Sequence, residues 1–265
     1  QQSIGGFYWV GPERLMFTAV RKLGSYAAPF GTGEWYGVNA DGSQARPLIF
    51  YGTRDATQRS KTVGNRRFAM LDPLPDDPGH VLMQAQYRQS EEGAGTELVR
   101  VDTLTGRRKL LARAPRENCN LTLDAAKQAR FAVCFDSENE QGEYDTRTEL
   151  YRREESGDWT LVNRAATAGK DLQVIGSAAD GRIYALEDDR THPAAFGTID
   201  LKTGAFASLF QDKVAEVDRY IRAADGDTIL AVATEAGAPR VSLIATHRHP
   251  EAVRRRSIAR PLRSE

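Results

Sequence analysis
The sequence predicts an all-β protein, a β-propeller of four-stranded antiparallel blades. Three observations carry this. Helical periodicity is scarce along the 265 residues, while short β-rich runs are punctuated by turn residues every few positions. Five segments align as the second strand of a repeating unit: RLMFTAV from Arg14, HVLMQAQY from His80, RFAVCFD from Arg130, RIYALED from Arg182 and TILAVAT from Thr228. Successive segments start 66, 50, 52 and 46 residues apart, near the roughly 40 to 50 residues that a four-stranded blade occupies.

Each repeat reads as a meander. The first blade, 4–50, runs from FYWVGPE through the Arg14 segment to EWYGVNADGSQARPLIF. The second, 68–113, opens on MLDPLPDDPG and closes on TELVRVDTLTGRRKLLA. The third, 119–164, pairs LTLDAAKQ with TELYRREESGDWTLVN, and the fourth, 172–210, pairs VIGSAADG with FGTIDLKTGAFASLF. The fifth, 217–252, starts at YIRAADGD and ends less regularly at RVSLIATHRHPEAV. The turns ADG, LTG, ESG and KTG supply glycine where a hairpin needs positive φ, and the flanking alternation turns one face of each strand inward. A β-sandwich or meander barrel would not require five such similar units. No Pro/Ser-rich linker interrupts the units, so one domain is expected over 1–252, with a basic tail at 253–265.

Longer links join second to third strands at 21–33, 88–95, 137–147 and 189–195, and another, 51–67, joins two blades. In an up-and-down meander these all project from one end of the strands. That end is either a working surface, since binding residues concentrate on long loops, or a set of tolerated insertions.

Lys+Arg 36 balance Asp+Glu 36, so no global attraction draws the chain to nucleic acid or an anionic membrane, and neither is an expected partner. The run RRRSIARPLR, Arg254 to Arg263, reads as a solvated end. No segment approaches the ~18 apolar residues of a membrane helix, and QQSIGGFYWV lacks the features of a targeting signal. Gln1 in place of an initiator methionine suggests a processed or trimmed piece.

Catalytic chemistry is hard to place here. No serine has glycine at both −2 and +2, as a nucleophile elbow needs. The four histidines, His80, His192, His247 and His249, fall in separate contexts and read as surface or strand-edge residues. HRH at 247–249 could hold a metal with two more ligands, but no Cys or carboxylate is spaced to complete the set. Asp136 to Asp145 is acidic without the glycine and terminal glutamate of a calcium loop, and no phosphate-cradling motif occurs. No catalytic, cofactor-binding or metal residue is assigned. Asn120 opens an N-L-T glycosylation pattern inside a predicted strand. If LTLDAAKQARFAV is a hairpin with Asp124 opposite Ala129, Cys119 faces Cys134 and a disulfide can form. A one-residue register shift would leave two buried thiols instead. An oxidised pair would favour a periplasmic or secreted protein.

The stretch from Phe7 to Gly52 resembles the propeller of bacterial prolyl oligopeptidase-family (S9) serine peptidases, of the acylaminoacyl-peptidase and dipeptidyl-peptidase-like branch. The resemblance rests on W-V-x-x-E-R-L from Trp9 and P-F-x-T-G-E-x-Y-x-V-N-A-D-G from Pro29, then TELVRVDTLTGRRKLLA, AGAPRVSLI and HPEA in matching order, to about Ala252. It implies a seven- or eight-bladed propeller, of which five blades are legible, joined to an α/β-hydrolase domain carrying the Ser-Asp-His triad. Nothing in this chain matches that domain, so no catalytic residue carries over and the chain alone is expected to be inactive. The partners implied are that domain and a peptide substrate. Exposed blade edges would also permit a homo-oligomer.

Overall fold
The computed structural model describes residues 2–24, 27–50, 66–87, 95–135, 148–178, 180–200, 203–223 and 226–244. It divides into two compact units, Gln1–Leu121 and Thr122–Glu265. In the first unit β1 (Gln2–Gly11), β2 (Arg14–Arg21), β3 (Phe30–Asn39) and β4 (Arg46–Ile49) form one antiparallel sheet in that order. A second sheet follows from β5 (Arg66–Asp72), β6 (His80–Tyr87), β7 (Thr96–Asp102) and β8 (Arg108–Arg113). The next sheet, in which the unit boundary falls, holds β9 (Cys119–Leu123), β10 (Ala129–Phe135), β11 (Thr148–Arg153) and β12 (Trp159–Arg164). A single helical turn, α1 (Ala165–Ala168), leads to β13 (Asp171–Ser177), β14 (Ile183–Asp188), β15 (Ala195–Ile199) and β16 (Phe206–Phe210). The last sheet has β17 (Val217–Arg222), β18 (Ile229–Ala236) and β19 (Ala238–Leu243). The chain is thus all-β, with five antiparallel meander blades arranged as a β-propeller. The fifth shows three strands among the described residues, and the stretch expected to complete it, from residue 245 on, lies outside them. No helix among the described residues is long and apolar enough to cross a membrane.

Strand alternation explains where the core lies. In the first unit, Val10, Met16, Trp35, Leu48 and Ile49 from the first sheet pack on Phe68, Val81, Met83, Ala85, Val99 and Val101 from the second. The Trp35 indole N–H donates to the Phe68 carbonyl at 3.3 Å, so the one polar atom of that buried ring is satisfied. In the second unit Phe131, Val133 and Leu150 pack on Leu172, Val174, Ile183, Ala185 and Ile199. The opposite face of that fourth sheet presents Tyr184 and Phe196, with ring centroids 5.6 Å apart, to Ile229 and Val232 of the fifth.

The turn chemistry follows the sequence. Gly42, Gly106, Gly157 and Gly204 all take positive φ, from 71° to 96°. Aspartate at the end of the third strand closes the turn: Asp102 Oδ1 accepts from the Leu104 and Thr105 amides at 2.9 and 2.7 Å, and Asp200 Oδ1 from the Thr203 amide at 2.9 Å. Both cysteines are disulfide-bonded, which decides between the two alternatives the sequence left open. Cys119 opens β9 and Cys134 lies in the neighbouring β10.

Asp171 ties three segments of the second unit together. Its Oδ1 accepts from the Thr148 amide and hydroxyl, each at 2.8 Å, and its Oδ2 from Arg190 Nη2 at 2.8 Å. Burial alone would raise its pKa, but the bonds from Arg190 and Thr148 outweigh it and the net shift is downward. A carboxylate whose folded pKa is depressed adds stability above its unfolded pKa of about 3.9, lost as pH falls through the folded value. Asp171→Asn is therefore expected to destabilise the chain at pH 7, with the gap to wild type closing below about pH 4. Urea midpoints measured across that range check it, and a gap independent of pH would contradict it.

Candidate functional site
His80 stands at the head of β6 with its Nδ1 3.1 Å from Asp77 Oδ1 and 3.2 Å from Arg100 Nη2. Arg100 also bonds Asp77 Oδ2. The hydrogen bonds from His80 and then Arg100 hold the Asp77 carboxyl below its ordinary pKa. His192 lies in the exposed 189–194 link, its Nδ1 2.8 Å from Thr191 Oγ1 and 3.5 Å from Asp189 Oδ2. The Thr191 amide and hydroxyl, followed by His192, lower the Asp189 pKa to about 2. These are local turn contacts, and among the described residues no serine hydroxyl is hydrogen-bonded to a histidine. His247, His249, the acidic stretch 136–145 and the basic tail lie outside the described residues, as do most of the long links. Asn120 is engaged within the first unit, its Oδ1 accepting from Gln84 and Gln86 Nε2 at 3.2 and 3.1 Å.

The described cavity with the most distinctive electrostatics lies at the other end of the strands, among the short turns of the first unit. It has a volume of about 650 Å³. The β1–β2 turn contributes Pro12 and Glu13, and Asn39, Gln44 and Arg46 come from around the β3–β4 turn. The second sheet adds Pro78, Thr103 and Leu104. Arg14, the first residue of β2, is among its lining residues and is buried, with 7% of its surface exposed. Its Nη2 and Nε donate to the Thr103 carbonyl at 2.6 and 3.3 Å, and Nη1 donates to Asn39 Oδ1 at 2.9 Å and the Gln44 carbonyl at 3.3 Å. Gln44 adopts φ 53°, which turns the chain in the left-handed region beside the guanidinium. Gly37 leaves the room: a Cβ there would lie 2.5 Å from Arg14 Nη2 and 3.0 Å from the Thr103 oxygen.

Comparison of the repeats shows what is unusual about Arg14. A basic residue lies at or within one residue of the start of the second strand in four of the five blades: Arg14, His80, Arg130 and Arg182. In three of them the preceding turn supplies an aspartate: Asp77 for His80, Asp124 to Arg130 at 2.9 Å and Asp180 to Arg182 at 2.7 Å. The turn before Arg14 reads Gly-Pro-Glu and contains no aspartate. Among the described residues no carboxylate lies within ion-pair distance of Arg14, and its oxygens of contact are all neutral. Burial first, then the like charge of Arg46, lower the Arg14 pKa, while Asp102 opposes them. A comparable hollow of about 560 Å³ in the second unit has Arg182 beside Ile183, Asp200 and Phe206, and there the arginine is already paired with Asp180. Arg14 carries no motif of its own that marks it as a site residue. The signal available was the missing turn aspartate in the first repeat.

No protein family is matched by the chain, and none of the curated proteins matches it. Solved structures are similar in fold. Against a prolyl endopeptidase the TM-score is 0.52 at 15% identity, covering 91% of this chain and 34% of that one. Oligopeptidase B from Leishmania major gives 0.47 at 11% identity, covering 91% and 33%. TolB from Acinetobacter baumannii gives 0.45 at 15% identity, covering 80% and 46%. At 15% identity the likeness to the prolyl endopeptidase shows the fold alone. The chain spans about a third of the length of the two peptidases and under half of the TolB chain.

Proposed function
We propose that this chain is the propeller part of a serine peptidase of the prolyl oligopeptidase family, which admits peptides to the active site and adds loop contacts to them. Hydrolysis would belong to an α/β-hydrolase domain joined to it in the whole protein. The observation that carries this reading is the motif order in the first blade, Trp9 to Leu15 and then Pro29 to Gly42, set on a propeller fold that a prolyl endopeptidase shares. The disulfide supports placement in an oxidising compartment, periplasmic or secreted. The chain alone is expected neither to turn over chromogenic aminoacyl and prolyl substrates nor to take up a serine-reactive fluorophosphonate. Turnover together with labelling would overturn the reading.

A second reading, a stand-alone propeller that docks other proteins, is favoured by one observation. The edge strand β1 leaves Ile4, Phe7 and Trp9 more than half exposed, at 63%, 65% and 53%, without a charged residue among its ten. The full coding sequence separates the two readings, since an elbow serine downstream belongs to the first alone.

A further inference from the structure
We infer that the turn-end pocket of the first unit binds a carboxylate attached to an apolar group, such as the C-terminal residue of a peptide. This inference stands apart from the peptidase reading and holds or fails without it. Its basis is that Arg14 has no carboxylate within ion-pair distance among the described residues, Asp102 acting on it only from further off. A buried guanidinium held only by neutral oxygens, with a second guanidinium near enough to lower its pKa, is electrostatically costly. An anion seated between Arg14 and Arg46 removes that cost. The two residues divide the work: Arg14 is fixed by Thr103, Asn39 and Gln44 and supplies a preorganised charge. Arg46 is exposed and bonds the Gln44 side chain through Nη2 at 2.6 Å, so its remaining N–H groups can meet a ligand.

The rest of the lining narrows the ligand. Pro12, Pro78 and Leu104, the last 46% exposed, give apolar walls beside the charge. A volume of about 650 Å³ lies within the roughly 300 to 1,000 Å³ usual for small-molecule sites, which pair apolar walls with a few polar groups. Glu13 also lines the pocket and Asp102 acts on Arg14 from beyond ion-pair distance, so the two guanidinium charges are opposed by two carboxylates, a balance that leaves room for at most a monoanion and disfavours phosphate.

Calorimetric titration of the 265-residue chain with N-acetyl-leucine, the tripeptide Ala-Ala-Leu and the C-terminal amide of each tests the inference. Both acids, or the tripeptide acid alone, are expected to bind at least tenfold more tightly than the corresponding amide. Binding of both places recognition in the carboxylate and its apolar group, and binding of the tripeptide alone identifies a peptide terminus as the source. Arg46→Gln, at an exposed position, is expected to cut the affinity at least tenfold, and Leu104→Ser severalfold, with the circular dichroism spectrum unchanged. The inference is overturned if neither acid binds at millimolar concentration, if amides bind as well as acids, if Arg46→Gln changes nothing, or if inorganic phosphate competes.

Discussion

Replacing Cys119 and Cys134 together by alanine is expected to lower stability by about 3 kcal/mol, the value for a disulfide closing a loop of about 15 residues. The bridge joins neighbouring strands across the 124–128 turn, where the Asp124 amide donates to Gln128 O at 2.9 Å and Lys127 takes φ 60°. In the unfolded chain the bridge removes the freedom of that whole hairpin. Both cysteines are fully buried, so substitution also leaves a small cavity, and the two effects act in the same direction. Cys119 has further backbone anchors: its carbonyl accepts from Thr96 Oγ1 at 2.7 Å and Gln86 Nε2 at 2.9 Å. The strand therefore keeps its place without the bridge, and loss of stability rather than loss of fold is expected. A thermal midpoint lower by roughly 6 °C or more, at about 2–4 °C per kcal/mol for a chain of this size class, would be the readout. A drop in the same direction, smaller by the share the cavity adds, should appear in wild type reduced under denaturing conditions and refolded with reductant, because a buried bridge resists reduction in the native state. Equal midpoints for the oxidised and reduced protein would refute the entropic role.

The parts of this fold that were legible in the sequence are those set by local chemistry. Second strands such as RIYALED and TILAVAT are short continuous apolar runs bounded by turn residues, which fits a strand buried on both faces, and β14 and β18 cover them closely. Turn glycines such as Gly106 announce themselves because positive φ excludes most other residues. The cysteine pairing was legible only conditionally, since register decides it and the alternation of that hairpin tolerates a shift. The pocket was not legible, for a physical reason. Arg14 has its shortest hydrogen bond to Thr103, 89 residues away in the next blade, and no local pattern states which carbonyl a neighbouring blade will present. His80 drew notice as a titratable residue, yet its partners Asp77 and Arg100 already account for its place at a strand head. In this chain a missing aspartate was more informative than a histidine that is present.

Gly197→Ala is expected to be among the most damaging single substitutions in the second unit, costing about 3 kcal/mol or more. Gly197 lies in the middle of β15, where no turn calls for glycine and its φ is not in the left-handed region. What it requires is space. A Cβ there would sit 2.2 Å from the Ala207 carbonyl oxygen, 2.9 Å from its carbon and 2.7 Å from Phe206 Cζ. The Phe206 ring could rotate, but the Ala207 carbonyl belongs to the paired strand β16 and moves only if that strand does. The register confirms a close approach, with a shift between Phe196, opposite Phe210, and Gly197, opposite Ser208. Forcing β16 outward would disturb Phe206, which packs against the core around Ile183 and Ile199. Two control substitutions separate sterics from backbone conformation. Gly31→Ala, in β3 with open space at the Cβ position, is expected to be close to neutral. Gly181→Ala, with φ 83° and equally open space, is expected to cost about 1 kcal/mol through conformation alone. Urea midpoints rank the three variants, and hydrogen exchange locates the damage of Gly197→Ala in β15 and β16. If Gly197→Ala proved no worse than Gly31→Ala, the close strand approach would be wrong.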